Sequence, residues 1–412
     1  MLPQPALSFT LPSIHDNTKL DCRVYHPTCL DGSLGPSDTL PWRRHAAVVA
    51  HPYAPLGGCY DDPVVAIIAN ALLRAGFVVA TFNFRGASSS DGRTSWTSKP
   101  ERADYMSVVG FLVYYVHYLR PPRAKPVTAN ENVARPTLLL AGYSYGAMVT
   151  IQLPPLSAFL PYFTSPATHT ALADIRLRAQ HLAEQQHNIM AIPPNSPRKS
   201  LGMRVGGDED VDMPPQQKAH HSKLRVHSPD REERIRKGVK DLLSRTKLIH
   251  KKHNHNQNHG GQSKENEHGE PCLEKVDNLI EFRSAYLAVS PPLGIVTNLA
   301  TMTFSNPFSS WSKRKRSGHS SIKNPDVEAG SEETEAEVKL VRNPTLAIYG
   351  DQDGFLTMKK MRDWTAQLSS AEESQFRHIQ VSGAGHFWVE EGVLHELREA
   401  VSSFVTTLIG GS

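Results

Sequence analysis

The feature that most constrains the fold is a series of continuous apolar runs that alternate with helix-forming segments. The runs are HAAVVAHPY (45–53), FVVATFNFRG (77–86) and RPTLLLAGY (135–143), with three more at 285–292, 343–355 and 376–388. Strands that are buried on both faces are apolar at successive positions, whereas half-buried strands alternate. The pattern therefore predicts an α/β fold, with a doubly wound, mostly parallel sheet covered by helices on both faces.

Segments between the runs carry apolar residues at helical spacing. In DDPVVAIIANALLRAG (61–76) they recur at i, i+3, i+4, i+7 and i+8. Asp62 can cap this helix, Pro63 suits its first position, and Gly76 can adopt the left-handed conformation that closes a helix. A second helix is predicted over 101–121, and a last one carries an apolar stripe near the carboxyl end of the chain.

Two stretches depart from this pattern. Residues 165–280 are largely polar and of low complexity, so we expect a mostly disordered insert, with candidate lid helices at 172–187 and 230–247. Residues 306–340 run from basic to acidic sequence and are expected to form a mobile loop. Residues 1–164 and 281–412 would then be the two halves of one α/β domain.

The positive charge of the chain belongs to the insert. From Ser196 to Lys264 there are 16 lysines and arginines against 8 aspartates and glutamates, a net charge of +8. The whole chain of 412 residues carries only +4. The rest of the protein is thus slightly acidic, and the basic balance gives no information about the substrate of the core.

The cysteines and the hydropathy pattern indicate a soluble protein of a reducing compartment. Cys22, Cys29, Cys59 and Cys272 lack C-x-x-C spacing, and four cysteines are too few for a disulfide scaffold of this length. No window of about 18 apolar residues occurs, and the amino terminus lacks the pattern of a signal peptide. We therefore expect a cytoplasmic location without a membrane span.

The third run ends in Gly-Tyr-Ser-Tyr-Gly (142–146) and turns directly into a helix. A G-x-S-x-G sequence between a buried strand and a helix is typical of a nucleophile elbow, where a sharp turn exposes the serine oxygen. Gly142 and Gly146 lack a Cβ, so the strand and helix can crowd the turn. Ser144 is therefore the candidate nucleophile.

A serine hydroxyl needs a base, and the base needs an orienting group. His386 follows the last apolar run within SGAGHFW, and Asp351 and Asp353 follow the preceding run within YGDQDGF. We favour Asp353 as the orienting carboxylate because it lies further into the loop, and Asp351 could cap the following turn. Ser144, Asp353 and His386 all follow strands, and the carboxyl ends of parallel strands share one edge of the sheet.

These residues resemble the α/β-hydrolase superfamily. HPYAPLGG (51–58) is similar to its oxyanion loop, FNFRGASSSDG (82–92) to the loop after its fourth strand, and GYSYGA to its elbow. The loop pattern is nearest to the dienelactone-hydrolase and prolyl-oligopeptidase-like branches. The resemblance implies an oxyanion hole formed by the backbone N–H groups of Tyr145 and Tyr53, with Ala54 the alternative to Tyr53.

The resemblance implies a serine hydrolase that cleaves an ester, a thioester or a similar acyl bond of a small molecule, without metal or organic cofactor. The alternative is an interaction protein that keeps the hydrolase fold as a scaffold, as some chromatin-associated members do, and reaches nucleic acid or acidic partners through its basic inserts. The sequence does not indicate the oligomeric state.

Several other residues allow a structural and a functional interpretation. His51 is expected to pack or to orient the oxyanion loop, and Arg85 to tie loops together, with recognition of a substrate carboxylate as the other reading of Arg85. The histidines at positions 253, 255 and 259 have a spacing that could bind a metal, although they lie in a solvated tract. The run KRKR (313–316) is either an exposed loop or a nuclear localisation signal.

Overall fold

An eight-stranded sheet forms the centre of the part of the chain that the computed structural model describes, namely residues 2–30, 42–95, 97–119, 135–191, 232–244, 271–293 and 337–410. The strands are β1 (Leu7–Pro12), β2 (Lys19–Tyr25), β3 (Ala46–Ala50), β4 (Val78–Phe82), β5 (Thr137–Tyr143), β6 (Arg283–Val289), β7 (Thr345–Gly350) and β8 (Phe376–Val381). All six predicted runs are strands. β1 and β2 were not predicted.

The strand order is β1-β2-β4-β3-β5-β6-β7-β8. β2 pairs antiparallel with both β1 and β4, and the other five pairings are parallel. β5 lies at the centre, with Gly142 opposite Ala50 on one side and Ala288 on the other. The predicted doubly wound, mostly parallel sheet is thus confirmed.

Helices cover both faces of the sheet. They are α1 (Pro63–Arg74), α2 (Lys99–Tyr118), α3 (Tyr145–Gln152), the single turn α4 (Leu156–Phe159), α5 (Ala171–Met190), α6 (232–244), α7 (337–342), α8 (Met358–Ser369) and α9 (Val393–Gly410). α1 and α9 pack on one face, where Ile68 and Val401 share a core. α2, α3, α5 and α8 pack on the other, around residues such as Tyr105 and Trp364.

The ends of α1 agree with the sequence prediction. Oδ1 of Asp62 accepts hydrogen bonds from the N–H groups of Val64 (2.8 Å) and Val65 (3.4 Å), and Pro63 is the first helical residue. Gly76, just past the end, has a φ of 86°. The cap fixes the direction in which α1 leaves the loop after β3.

Two predicted insert helices are present, as α5 and α6. α6 docks on the domain: Glu232 accepts hydrogen bonds from Thr10 (2.9 Å) and from Arg178 of α5 (2.8 Å), and Ile235 is buried in the core. Residues 192–231 and 245–270 of the predicted insert lie outside the described residues. Residues 232–244 therefore belong to the packed domain.

The predicted mobile loop 306–340 extends too far at its carboxyl end. Residues 337–340 lie in α7, where Lys339 is buried and its side-chain nitrogen donates hydrogen bonds to the carbonyls of Thr150 (3.0 Å) and Leu153 at the end of α3. A side-chain donor at the carboxyl end of a helix satisfies carbonyls that lack partners within the helix. Residues 306–336 lie outside the described residues.

Candidate active site

The candidate nucleophile, base and orienting carboxylate all lie at the carboxyl edge of the sheet. Ser144 follows β5, Asp353 lies in the loop after β7, and His386 lies in the loop after β8. All three are buried, with 7%, 3% and 7% of their surfaces exposed. The order of the strands therefore brings residues that are far apart in sequence to one place.

Ser144 occupies a sharp turn between β5 and α3. Its φ of 53° and ψ of −118° lie in a region that side-chain-bearing residues rarely adopt, and its N–H donates to the carbonyl of Val289 at 2.8 Å. A Cβ on Gly146 would lie 2.6 Å from the carbonyl oxygen of Ala50, and one on Gly142 would overlap the backbone of Gly146. The glycines thus permit the close approach that the sequence predicted.

Hydrogen bonds connect Ser144, His386 and Asp353 in series. Oγ of Ser144 lies 2.8 Å from Nε2 of His386, and Nδ1 of His386 lies 2.9 and 2.8 Å from the two carboxylate oxygens of Asp353. Because an ionised carboxylate only accepts hydrogen bonds, Nδ1 carries the proton and Nε2 accepts from the serine. This arrangement can take the proton of the serine hydroxyl.

The two candidate carboxylates have different partners. Asp353 is buried against His386, and its Oδ1 also accepts from the N–H of Phe355 at 2.9 Å. The more exposed Asp351 accepts from the N–H of Gly383 (2.7 Å) and the hydroxyl of Ser382 (3.2 Å). Asp351 therefore ties together the loops after β7 and β8, instead of capping the following turn.

Tyr143 holds the His386 loop from the side of the elbow. Its hydroxyl donates to the carbonyl oxygen of His386 at 2.7 Å, and its ring lies 6.0 Å from the imidazole. Phe355 covers another side of the imidazole at 4.5 Å. Sequence reasoning missed both contacts; the tyrosine beside the elbow serine was the available signal.

The predicted oxyanion-hole residues face one cavity. Tyr145 is the first residue of α3, where N–H groups have no partner within the helix, and Tyr53 lies in the loop after β3. Their rings are 5.2 Å apart, and both residues line the cavity beside Ser144. The structure thus places Tyr53 and Tyr145 in the cavity that Ser144 also lines.

His51 is buried beneath the loop that carries Tyr53. Its Nε2 accepts from the N–H of Phe84 at 2.9 Å, which places the ring proton on Nδ1, 2.6 Å from the carbonyl oxygen of Pro52. Burial lowers the pKa of His51 to about 4, so the ring is neutral near pH 7. These contacts agree with the interpretation that His51 orients the loop.

Arg85, in the loop after β4, ties the loop between β1 and β2 to the helix α2. Its guanidinium contacts Asp104 at 2.7 Å and Asp16 at 2.9 Å, and it donates to the hydroxyl of Ser13 at 3.2 Å. With 5% of its surface exposed and two carboxylate partners, it has the tying role expected from the sequence.

The cavity beside Ser144 has a volume of about 260 Å³ and is mainly apolar. Its wall includes Tyr53, Leu56, Met148, Pro292, Phe355 and Phe387.

Among the described residues, no group of three or more His, Cys, Asp or Glu side chains is placed to hold a metal, and no helix is long and apolar enough to cross a bilayer. The histidines at 253, 255 and 259 and the KRKR run lie outside those residues.

Comparisons with known proteins find similarity to solved structures. No protein-family model and no curated protein matches the chain. An α/β serine hydrolase homologue from Coxiella burnetii is 14% identical, with a TM-score of 0.43 and coverage of 98% of this chain and 99% of its own. An α/β serine hydrolase without a lid from Xanthomonas campestris is 16% identical, with a TM-score of 0.43 and coverage of 99% and 97%.

An esterase from Pyrococcus furiosus is 12% identical, with a TM-score of 0.43 and coverage of 97% of this chain and 91% of its own. These similarities are distant.

Proposed function

We propose that this chain, which has the α/β-hydrolase fold, is a serine hydrolase that cleaves an ester, a thioester or a similar acyl bond of a small molecule. One observation carries the proposal: Ser144 Oγ lies 2.8 Å from Nε2 of His386, whose Nδ1 faces the buried carboxylate of Asp353. The strained turn at Ser144 supports it, because such strain is typical of a nucleophile elbow.

In the first half of the proposed reaction, Oγ of Ser144 attacks the carbonyl carbon of the substrate while Nε2 of His386 takes the hydroxyl proton. The carbonyl oxygen becomes negatively charged, and the backbone N–H groups of Tyr145 and Tyr53 stabilise it. The tetrahedral intermediate then expels the leaving group, which takes the proton from His386. An acyl ester of Ser144 remains.

Water completes the reaction through the same groups. His386 accepts a proton from water as the water oxygen attacks the acyl ester, and it returns that proton to Ser144 Oγ as the carboxylic acid leaves. Asp353 stays ionised throughout, holds the Nδ1–H tautomer and stabilises the imidazolium that forms twice in each cycle.

A fluorophosphonate probe tests the proposal, because it reacts covalently with an activated serine. The purified full-length protein should be labelled at Ser144, as located by peptide mass spectrometry, and Ser144→Ala should not be labelled. His386→Gln should lower the labelling rate by orders of magnitude. Labelling that persists in Ser144→Ala would exclude this serine as the nucleophile.

The scaffold alternative rests on the basic inserts, whose central parts lie outside the described residues. The probe separates the two functions, since a scaffold needs no activated serine. A wild-type protein that resists the probe while its melting temperature indicates a folded domain would favour the scaffold.

A further inference from the structure

The cavity beside Ser144 carries information about the acyl group. Its volume of about 260 Å³ is many times the space that one water molecule needs, so it has room for an acyl chain of several carbon atoms. Leu56 and Phe387, with 70% and 57% of their surfaces exposed, continue the apolar wall toward the protein surface. Such a wall offers dispersion contacts and few hydrogen-bond partners to an entering group.

Asp62 is the exception in this wall. It lines the same cavity, and its Oδ1 is occupied by the N–H groups of Val64 and Val65 as the cap of α1. Within the described part of the chain, its Oδ2 has no hydrogen-bond or ion-pair partner. Asp62 therefore caps α1 through one oxygen, and its carboxylate as a whole places negative charge beside the cavity.

We propose that the site accepts uncharged apolar acyl groups and that Asp62 is a specificity residue that disfavours acyl groups ending in a carboxylate. This inference rests on the proposed hydrolase function and names the substrate class of that same site.

The physical basis is the loss of water around the acyl group. A charged end group of either sign loses hydration when it enters an apolar cavity, so both are disfavoured relative to a methyl end. A carboxylate end is also repelled by Asp62, whereas an ammonium end is attracted, and both effects are stronger in a cavity than in water. Comparing an acyl group that ends in an ammonium with one that ends in a carboxylate therefore separates the effect of Asp62 from the cost of desolvation, which both groups share.

The competing interpretation is that Asp62 serves only as the helix cap. Asn is as good a cap as Asp, because its side-chain oxygen accepts the same hydrogen bonds. Asp62→Asn thus removes the charge and keeps the cap. The adjacent Asp61 provides a matched control, since Asp61→Asn removes the same charge from a side chain that is 62% exposed and paired with Arg23 at 2.6 Å.

The experiment measures how fast three phosphonofluoridate probes label Ser144 in the full-length protein. Their six-carbon chains of equal length end in a methyl, an ammonium or a carboxylate group. In the wild type, the methyl probe should react fastest and the carboxylate probe slowest. In Asp62→Asn, the ratio of the ammonium rate to the carboxylate rate should fall by about tenfold or more, the size expected of one charge at close range. Asp61→Asn should keep the wild-type ratio.

The outcomes separate this inference from the proposed function. If wild-type Ser144 reacts and Asp62→Asn leaves the ratio unchanged, or if Asp61→Asn changes it equally, the role of Asp62 is wrong and the hydrolase proposal stands. If the carboxylate probe reacts as fast as the methyl probe, the apolar substrate class is wrong. If no probe labels the folded wild type, the proposed function fails, and this inference fails with it.

Discussion

At the scale of single residues, Asp353 and Asp351 offer a matched pair for testing the orienting carboxylate. Asp353→Asn should lower the labelling or turnover rate by orders of magnitude, on the order of the 10⁴-fold loss in the well-known serine-protease case, because the wrong imidazole tautomer would face Ser144. Asp351→Asn should have a much smaller effect, since the hydrogen bonds of its carboxylate to described residues come from Ser382 and Gly383, which lie away from the imidazole nitrogens. The opposite ranking would exchange the two roles.

The turn at Ser144 predicts a difference in stability between two variants that both lack the serine hydroxyl. Ser144→Ala keeps a Cβ at a φ of 53°, whereas Ser144→Gly removes it. Strain of this kind costs about 1–3 kcal/mol, and the greater freedom of glycine in the unfolded chain offsets part of the gain. Denaturant unfolding should find the Gly variant more stable by about 1 kcal/mol. Equal stabilities would show that the turn is not strained in solution.

Some residues of the candidate site could be predicted from the sequence, and other contacts of the site could not. Ser144, Asp353 and His386 could be found because each follows a recognisable strand. The bond from Tyr143 to the His386 carbonyl could not be found, since it joins positions 243 residues apart. The proposed role of Asp62 in acyl specificity was missed for another reason: its position before Pro63 already explained it as the cap of α1.

At the scale of elements, α6 gives the long insert a packed part. A short Gly/Ser linker in place of residues 196–228 should leave the melting temperature and probe labelling close to wild type. Extending the replacement over 196–264 removes α6 and with it Glu232, a carboxylate partner of the buried Arg178, as well as the buried Ile235. The melting temperature should then fall by several degrees, because burial of such groups contributes about 1–3 kcal/mol each.

A point variant checks the same contact without shortening the chain. Ile235→Ala should lower the free energy of unfolding by about 2–5 kcal/mol, as for other buried aliphatic residues. Arg236→Ala, on an exposed part of the same helix, should change it by less than about 0.5 kcal/mol. Equal effects of the two substitutions would show that α6 does not dock in solution.

The strands show why some elements were missed. β3 to β7 are short, mainly apolar strands that the sheet buries on both faces, whereas the edge strand β8 is buried only at its two ends. β2 instead alternates, with Leu20, Cys22 and Val24 in the core, so a search for continuous runs passes over it. β1 alternates in the same way, with Leu7, Phe9 and Leu11 in the core. The alternation in β2 was the signal that could have found both, since β1 pairs with it.

At the scale of the whole molecule, three buried histidines predict how stability depends on pH. Burial lowers the pKa of His26, His45 and His51 to about 4 each, from an ordinary value of 6.5. Between pH 4 and 6.5 the unfolded chain therefore binds more protons than the folded one, so the free energy of unfolding falls as the pH is lowered through this window. Denaturant unfolding from pH 4 to 8 should find that the free energy of unfolding rises with pH, and that this rise becomes less steep above about pH 6.5.

The variant His45→Asn tests the contribution of one of these three histidines to the pH dependence of stability. Nδ1 of His45 accepts a hydrogen bond from the N–H of Thr137 at 2.9 Å, and the side-chain oxygen of Asn can accept the same bond without titrating. Between pH 4 and 6.5, the slope of the free energy of unfolding against pH should decrease by the amount that corresponds to about one bound proton. The exposed His378→Asn is the control, and an equal change in that variant would contradict the assignment.

The central pairing of β5 with β6 has a consequence for the order of events during translation. These strands are neighbours, yet Ser144 and His386 lie 242 residues apart on either side of the long interruption. During synthesis, the proposed nucleophile leaves the ribosome long before its proposed base, and Ser144 lacks that base until 242 further residues have been added. The proposed catalytic residues can therefore come together only after strands from both sides of the long interruption have been synthesised.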